Sequence, residues 1–227
     1  MKVWITRTQP GAARTAARLA QVGIDSLIDP ALQVRPLDAS LDLTGFDALA
    51  FTSPNAVSVF SARSSDRTLP AFAVGEATAD CLADAGFRDI RIAGGDVRAL
   101  AQALVDQTPR RILHLAPMAP AANLGSLAAP LGIEVVVRPV YETVAITPNA
   151  ALGANDLIAV MIHSARAGAV VAERAKSRLG ALTVLALSSA CAAPFADVAS
   201  KSVAVAPFPD DASLVRLTID TLSKARA

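Results

Sequence analysis

Aromatic residues and net charge are both scarce in this sequence. Phenylalanine, tryptophan and tyrosine together make up 4% of its 227 residues, although hydrophobic residues as a whole reach 53%. Alanine, valine and leucine must therefore fill the interior, and the length suits two domains of modest size. Because the formal net charge is only +1, the composition excludes a general affinity for nucleic acid, although a local arginine cluster can still hold a carboxylate-rich ligand.

Cysteine is nearly absent, and long apolar runs are missing. Cys81 and Cys191 lie in alanine-rich helical patterns without metal-ligand spacing, so we interpret them as small buried thiols and expect no metal site. No run of about 18 residues lacks polar interruptions, and the opening MKVWITRT enters a strand-like segment without a signal peptide. These features predict a cytoplasmic protein with no membrane partner.

Common catalytic motifs are missing as well. The sequence has no GxGxxG after its first strand, no GxxxxGK[ST], no HExxH and no GxSxG. His114 and His163 fall at predicted strand ends instead of four residues apart on one helix. We therefore predict that each histidine is a lone hydrogen-bonding residue and not a metal ligand.

The sequence does contain a loose copy of itself. Three segments return in the same order roughly 110 residues later. GIDSLIDPAL (23–32) returns as GIEVVVRPVY (132–141), LAFTSPNA (49–56) as VMIHSARA (160–167), and VGEATADCLADAGF (74–87) as LSSACAAPFADVAS (187–200). A doubled chain is expected to fold as two similar lobes, with a ligand-binding cleft between them.

Short apolar runs alternate with helical patterns along the whole chain. This alternation predicts an α/β fold, with parallel sheets covered by helices on both faces. In such sheets ligands bind beyond the carboxyl ends of the strands, where helix starts offer free N–H groups to phosphate or carboxylate. The turns at these ends are Thr6-Arg7, Thr52 to Asn55, Gly75 to Thr78, Gly94 to Asp96, His114 to Pro117, His163 to Arg166 and Ser188 to Cys191.

Two interpretations of these turns stay open. Ser53, Thr78, Ser164 and Ser189 fit the simple role of helix caps, which serve stability wherever they occur. The same positions fit a binding role if equivalent turns of both copies face one cleft. Tyr141, the only tyrosine, lies in a predicted connector and fits a packing anchor as well as a site residue.

Taken together, the motifs resemble one family, uroporphyrinogen-III synthase. The resemblance covers nearly the whole chain and is carried by VWITRT (3–8), FTSPNAV (51–57), AVGEATAD (73–80), VYET (140–143) and the serine-arginine turn at 164–166. It implies two similar α/β lobes with parallel sheets flanked by helices, joined by a pair of extended linkers. Lobe one would comprise residues 1–35 and 147–227, lobe two residues 46–138, and the linkers residues 36–45 and 139–146, so that each lobe combines a piece of each copy.

The resemblance implies a reaction without metal or organic cofactor. The linear tetrapyrrole hydroxymethylbilane is cyclised to uroporphyrinogen III, with inversion of ring D and loss of water. The terminal hydroxyl leaves, an azafulvene forms, and a spiro intermediate fragments and closes again. The protein must position a flexible chain and assist departure of the hydroxyl. The expected partner is this small molecule, and the expected protein is a monomer with at most a transient contact with the preceding pathway enzyme.

Residue roles follow from the same resemblance. Tyr141 is expected to hydrogen-bond the departing hydroxyl, as an acid or as a group that positions water. The expected substrate-binding residues, which act largely through backbone N–H groups and through the two arginines, are Arg7, Ser53, Asn55, Gly75, Ala77, Thr78, Ser164, Arg166 and Ser189. The chain departs from the family pattern at Ala165, where the family prefers proline, and at Leu187 to Cys191, where the family turn is rich in glycine.

Two other functions fit the same sequence. One is a two-lobed, non-enzymatic binder of a small anionic ligand, which the lack of an export signal and of a DNA-binding motif disfavours. The other is a degenerate synthase kept as an interaction domain, and the missing glycine near Ser188 is its only support.

Overall fold

A computed structural model describes residues 1–107, 109–120 and 122–224, and the chain divides into two compact units. Unit 1 consists of Met1–Gln33 and Val144–Ala227, and unit 2 of Val34–Thr143. Residues 225–227, at the end of predicted lobe one, and residues 108 and 121, in predicted lobe two, lie outside the described residues.

Strands and helices alternate in both units. The chain starts in unit 1 with β1 (Lys2–Ile5), α1 (Gly11–Gln21) and β2 (Ser26–Ile28). Strand β3 (Leu32–Pro36) leads into unit 2, which continues with β4 (Ala48–Phe51), α2 (Pro54–Arg63), β5 (Ala71–Ala73), α3 (Glu76–Asp84), β6 (Ile90–Ile92), α4 (Val97–Gln107), β7 (Arg111–Pro117), α5 (Leu124–Ala128) and β8 (Glu134–Ala145). Unit 1 then resumes with α6 (Asn149–Gly153), β9 (Leu157–Ile162), α7 (Ala165–Arg174), α8 (Lys176–Leu179), β10 (Thr183–Ala186), α9 (Ser189–Ala192), β11 (Ser202–Val205) and α10 (Asp211–Lys224).

The two sheets have the same strand order. Unit 1 runs β11-β10-β9-β1-β2, and unit 2, followed from its other end, runs β6-β5-β4-β7-β8 with β3 added at the edge. The pairs within these two five-strand series are parallel. In each sheet, three strands of one copy of the repeat lie beside two strands of the other copy. The predicted α/β fold of parallel sheets flanked by helices is therefore confirmed.

Each central strand divides its side chains between two cores. In β9, Ala159 and Met161 belong to one buried cluster, whereas Val160 and Ile162 belong to another. Strand β4 alternates between two clusters of unit 2 in the same way. Both faces of these strands are apolar because helices cover both, which explains why the strands appear in the sequence as short, uninterrupted apolar runs.

The two predicted connectors contain strands. Proline and polar residues predict connectors at Val34 to Leu43 and at Pro139 to Thr143. In the structure β3 extends to Pro36, and Pro139 to Thr143 lies inside the twelve-residue strand β8. Both segments find backbone partners, which sequence patterns do not reveal: the Leu37 N–H donates to the Val140 carbonyl at 2.8 Å.

After β7 the sequence pattern predicts one continuous helix that ends at about Leu131. It is reduced to α5 and a 3-10 turn at Ala129–Leu131. Pro117, Pro120 and Pro130 interrupt this stretch, and proline lacks the N–H that a helix interior needs.

Candidate active site

Tyr141 owes its position to an irregularity in β8. Strands β7 and β8 pair in step up to Ala116 and Pro139, and the next pair joins Pro117 to Tyr141, so Val140 is an extra residue. A bulge of this kind changes the direction of the side chains that follow it. Val140 and Tyr141 are both buried in one core cluster, although regular pleating would place them on opposite faces.

The Tyr141 phenol meets the start of helix α2. The side chains of Ser53 and Asn55 hydrogen-bond to the phenol, and Ser53 Oγ also accepts the backbone N–H of Asn55 at 3.1 Å. Ser53 is the N-cap of α2 and is followed by Pro54 in the first turn, as predicted. Burial raises the pKa of Tyr141, and the hydrogen bonds from Ser53 and Asn55 oppose that rise. The phenol is therefore protonated at neutral pH.

A buried histidine lies next to this cluster. Thr52 Oγ1, directly after β4, lies 3.1 Å from His114 Nε2 on the neighbouring strand β7. Burial lowers the pKa of His114 to about 4, so the imidazole is neutral at physiological pH. Its Nδ1 has no hydrogen-bond partner within the described residues.

At the start of helix α3, the accessible polar groups belong to the backbone more than to side chains. Gly75 is the N-cap without a side-chain cap, and Ala77 is exposed in the first turn. Thr78 is only 2% exposed, and its N–H donates to the Gly75 carbonyl at 3.0 Å. Thr78 therefore does not cap α3, and its buried side chain leaves the backbone near Gly75 as the accessible part of this turn.

In unit 1, the carboxyl edge of the sheet is built around one carboxylate, that of Asp211 at the start of α10. Asp211 Oδ1 lies 3.1 Å from Arg7 Nη1, 2.7 Å from Thr15 Oγ1 and 3.1 Å from His163 Nε2, and Asp211 Oδ2 lies 2.7 Å from Arg18 Nη1. Arg7 and His163 follow β1 and β9, while Thr15 and Arg18 belong to α1. Two strand ends and two helices thus meet at a single side chain.

The protonation states at this edge follow from burial and hydrogen bonding. Burial alone would raise the pKa of Asp211, but hydrogen bonds from His163 and Thr15 and the charge of Arg7 hold that pKa far below its ordinary value. Burial lowers the pKa of His163, and the hydrogen bond to Asp211 opposes this shift. Asp211 is therefore ionised, and His163 donates to it through Nε2 as a neutral imidazole.

Arg7 is held in place on two sides. Its Nη1 also lies 3.4 Å from Thr15 Oγ1, and its guanidinium lies so close to Gly11 that a Cβ atom at position 11 would overlap it. Arg7 was expected to contact substrate directly. In the structure it is already engaged with Asp211, and that pairing was not anticipated from the sequence.

Two further turns lie at the carboxyl edge of the unit 1 sheet. Ser164 caps α7 by accepting the Ala167 N–H at 3.1 Å, and Arg166 is exposed and makes no ion pair within the described residues. At α9 the cap is Ser188, whose Oγ accepts the Cys191 N–H at 3.4 Å. Ser189, considered as a cap from the sequence, is instead the exposed first residue of that helix.

The structure thus brings some of the predicted residues together and leaves others apart. In unit 2, Tyr141, Ser53 and Asn55 form one cluster, and Gly75, Ala77 and Thr78 follow the adjacent strand β5. In unit 1, Arg7, Ser164, Arg166 and Ser189 follow the three adjacent strands β1, β9 and β10. Sequence reasoning missed Asp211 and its partners Thr15 and Arg18, although an aspartate at a helix start after a predicted strand was a visible signal.

Among the residues that the structure describes, no group of three or more His, Cys, Asp or Glu side chains is arranged to hold a metal ion. In the same part of the chain, no helix has both the length and the apolar character needed to cross a bilayer. Cys81 and Cys191 are buried free thiols, as predicted.

Solved structures with the same fold include two uroporphyrinogen-III synthases. The uroporphyrinogen-III synthetase of Helicobacter pylori matches with a TM-score of 0.66 at 19% identity, over 97% of this chain and 99% of that chain. A mutant uroporphyrinogen III synthase of the extremely thermophilic bacterium Thermus thermophilus matches with a TM-score of 0.51 at 16% identity, over 99% of both chains. At these identities the likeness shows the shared fold alone. No curated protein sequence matches the chain significantly.

Family membership comes from the sequence as a whole. The family model described as uroporphyrinogen-III synthase HemD matches residues 13–216, which is most of the chain. That range contains the phenol cluster of unit 2 and the Asp211 network of unit 1 except Arg7. The chain therefore belongs to the uroporphyrinogen-III synthase family.

Proposed function

We propose that this chain cyclises hydroxymethylbilane to uroporphyrinogen III, with inversion of ring D and loss of water, as a step of tetrapyrrole biosynthesis. The family match over residues 13–216 carries this proposal. The roles of individual residues are supported by the cluster in which Ser53 and Asn55 hydrogen-bond to the Tyr141 phenol.

Tyr141 acts as a hydrogen-bond donor to the departing hydroxyl. Burial raises its pKa, so the phenol keeps its proton at neutral pH and is better suited to donate a hydrogen bond than to exist as a phenolate. Ser53 and Asn55 fix the phenol oxygen at the start of α2. As the carbon–oxygen bond breaks, the pyrrole N–H gives up its proton, so neutral azafulvene and water are the balanced products.

The carboxylates of the bilane bind at helix starts along the carboxyl edges of the sheets. Free N–H groups and the positive end of the helix dipole favour an anion there. In unit 2 the start of α3 serves this role at its N-cap Gly75, and the buried Thr78 side chain contributes little. In unit 1 the start of α7 contributes Ser164 and the exposed Arg166, and Ser189 contributes its exposed hydroxyl. Arg7 adds a charge-assisted contact.

Location and assembly are part of the same proposal. The buried free thiols of Cys81 and Cys191 suit a reducing compartment, which supports a cytoplasmic enzyme. The proposed enzyme acts as a monomer. Because the bilane closes spontaneously to the type I isomer, a transient contact with the preceding pathway enzyme would shorten its exposure to water.

An isomer assay tests the function directly. The purified chain is incubated with freshly made hydroxymethylbilane, the product is oxidised to porphyrin, and the type I and type III isomers are separated chromatographically. We expect type III to dominate, with type I in a matched incubation of heat-denatured chain. A product distribution identical to that of buffer would reject the proposed activity.

A further inference from the structure

The most heavily engaged polar side chain of the unit 1 edge has no role in the proposed reaction. Asp211 has 17% of its side chain exposed and contacts four donors, whereas Arg7, one of those donors, has 30% exposed. Arg7 is thus the more accessible member of the pair.

We propose that Asp211 is a positioning residue, which holds the Arg7 guanidinium at the carboxyl edge of the unit 1 sheet so that Arg7 binds a carboxylate of the bilane. This inference rests on the proposed function, because it requires an anionic substrate. Asp211 itself does not touch the substrate.

The contacts leave Arg7 able to bind a second carboxylate. Both of its contacts, to Asp211 and Thr15, use Nη1. A guanidinium carries five donors on three nitrogens, so Nη2 and Nε remain for an external partner. An arginine that is already fixed at one nitrogen loses less side-chain entropy when it binds a ligand with the others.

The charge balance also favours this role. Asp211 Oδ1 accepts from Arg7, while Oδ2 accepts from Arg18 at 2.7 Å. Two guanidinium groups thus share one carboxylate, so the set of Arg7, Arg18 and Asp211 carries a net charge of +1. The neutral His163 and Thr15 complete the shell of Oδ1, which fixes the carboxylate without cancelling that charge.

Gly11 provides a way to move Arg7 without touching Asp211. A Cβ at position 11 would overlap Nε, Cζ and Nη2 of Arg7, which are the far end of a flexible side chain and not backbone. Gly11 is the first residue of α1, where alanine is the better helix former. Gly11→Ala should therefore displace the guanidinium while the helix stays intact.

A purely structural role for Asp211 makes a different prediction. Asp210 also supports the start of α10, since its Oδ1 accepts the Ser213 N–H at 2.7 Å. In the part of the chain that the structure describes, the Arg7 ion pair is with Asp211 and not with Asp210. If these aspartates only stabilise α10, Asp210→Ala and Asp211→Asn should affect the enzyme alike. If Asp211 positions Arg7, only Asp211→Asn should resemble Gly11→Ala.

The experiment compares the wild-type chain with Asp211→Asn, Gly11→Ala and Asp210→Ala. Thermal unfolding and steady-state cyclisation of freshly made hydroxymethylbilane are measured for each. We expect Asp211→Asn and Gly11→Ala to raise KM about tenfold, the loss of one charge-assisted contact, with kcat within about twofold of wild type. Asp210→Ala should lower Tm and leave KM unchanged, and Gly11→Ala should leave Tm unchanged.

The possible outcomes separate the inference from the function. Unchanged KM in Gly11→Ala, or an equal rise in Asp210→Ala, would overturn the positioning role while the wild-type type III product keeps the function. If Asp211→Asn fails to fold, Asp211→Glu is compared with Gly11→Ala instead. Asp211→Glu keeps a carboxylate, so its KM should be lower than that of Gly11→Ala. Absence of type III product from the wild-type chain would overturn the function and this inference together.

Discussion

The carboxyl edges of the two sheets share a backbone plan and differ in charge. Ser53 caps α2 with φ −158° and ψ 140°, and Ser164 caps α7 with φ −152° and ψ 149°. One residue earlier, Thr52 contacts the neutral His114, whereas His163 contacts the ionised Asp211. Unit 2 thus presents neutral hydrogen-bonding groups around a phenol, and unit 1 presents an ion-pair network.

This contrast indicates which features two similar units keep in common and which features differ between them. The helix cap depends on backbone geometry and one hydroxyl, so it survives in both copies. The residues around the cap have different neighbours, because the copy that supplies three strands to one sheet supplies two strands to the other. In the proposed reaction, unit 2 supplies the donor for the departing hydroxyl and unit 1 supplies fixed positive charge for the carboxylates.

The two edges should differ most in the response of their buried histidines to acid. The pKa of His114 is lowered to about 4 in the folded chain, so between pH 6.5 and 4 the unfolded chain binds the proton and the folded chain does not. Stability should fall by about 3 kcal/mol as the pH drops through this window. Amide hydrogen exchange in unit 2 measures it, and His114→Gln should remove most of the slope.

His163 provides the internal comparison. Its pKa is also lowered by burial, but the Asp211 carboxylate opposes the shift, so protonation is less unfavourable in unit 1. We expect His163→Gln to change the acid slope of unit 1 less than His114→Gln changes that of unit 2. Equal slopes in both variants would show that the two edges do not differ in this respect.

The second-largest expected effect comes from removing the phenol hydroxyl of Tyr141. Tyr141→Phe keeps the ring that packs in the core and removes the hydrogen-bond donor. We expect kcat for cyclisation to fall about a hundredfold, the lower range for loss of a proton-handling group, with Tm nearly unchanged. Steady-state rates and the isomer ratio provide the measurement. A variant that cyclises at the wild-type rate would remove Tyr141 from the mechanism.

A pair of glycines tests packing behind the two edges. A Cβ on Gly168 of α7 would lie 2.9 Å from the Cys191 carbonyl oxygen, which is backbone, and 3.2 Å from Ile162. We expect Gly168→Ala to destabilise the chain by about 2 kcal/mol.

Gly75→Ala is the matched control in unit 2. Its Cβ would lie 3.4 Å from the Gly95 Cα, an ordinary contact, and its extended φ of −173° suits any residue. Thermal unfolding should show no measurable change. A rise in KM for the bilane would support close approach of a carboxylate to this turn.

The two serine caps should differ least. Ser53→Ala and Ser164→Ala should each lower the free energy of unfolding by about 1 kcal/mol, because each removes one N-cap acceptor. Only Ser53→Ala should also lower kcat, since Ser53 holds the Tyr141 phenol. Ser164→Ala should instead raise KM. Identical kinetic changes in the two variants would contradict the division of work between the edges.

Sequence patterns predicted the architecture better than they predicted the side-chain contacts. The repeated order of segments and the apolar runs predicted parallel α/β sheets, and the caps at Ser53 and Ser164 followed from local chemistry. The Ser188 cap was missed because two adjacent serines fit the same pattern. The second half of strand β8 was predicted to be a connector, because it contains proline and polar residues. Its pairing with Arg111–Pro117 of β7 cannot be recognised from the local sequence.

Most of the site depended on distant parts of the chain. Arg7 and Asp211 are 204 residues apart, and His114 and Thr52 are 62 residues apart. Nothing in the sequence indicated a role for Gly11, because that role depends on the Arg7 guanidinium that packs against it.

Local sequence was enough to specify which segments are strands buried on both faces and which residues start helices, because periodicity and capping act over a few neighbouring residues. The folded chain was needed to show that the Tyr141 phenol meets Ser53 and Asn55 and that Asp211 fixes Arg7. Hydrogen bonds and ion pairs act over a few ångströms, and only the strand order of the folded sheets brings residues so far apart in the chain within that distance.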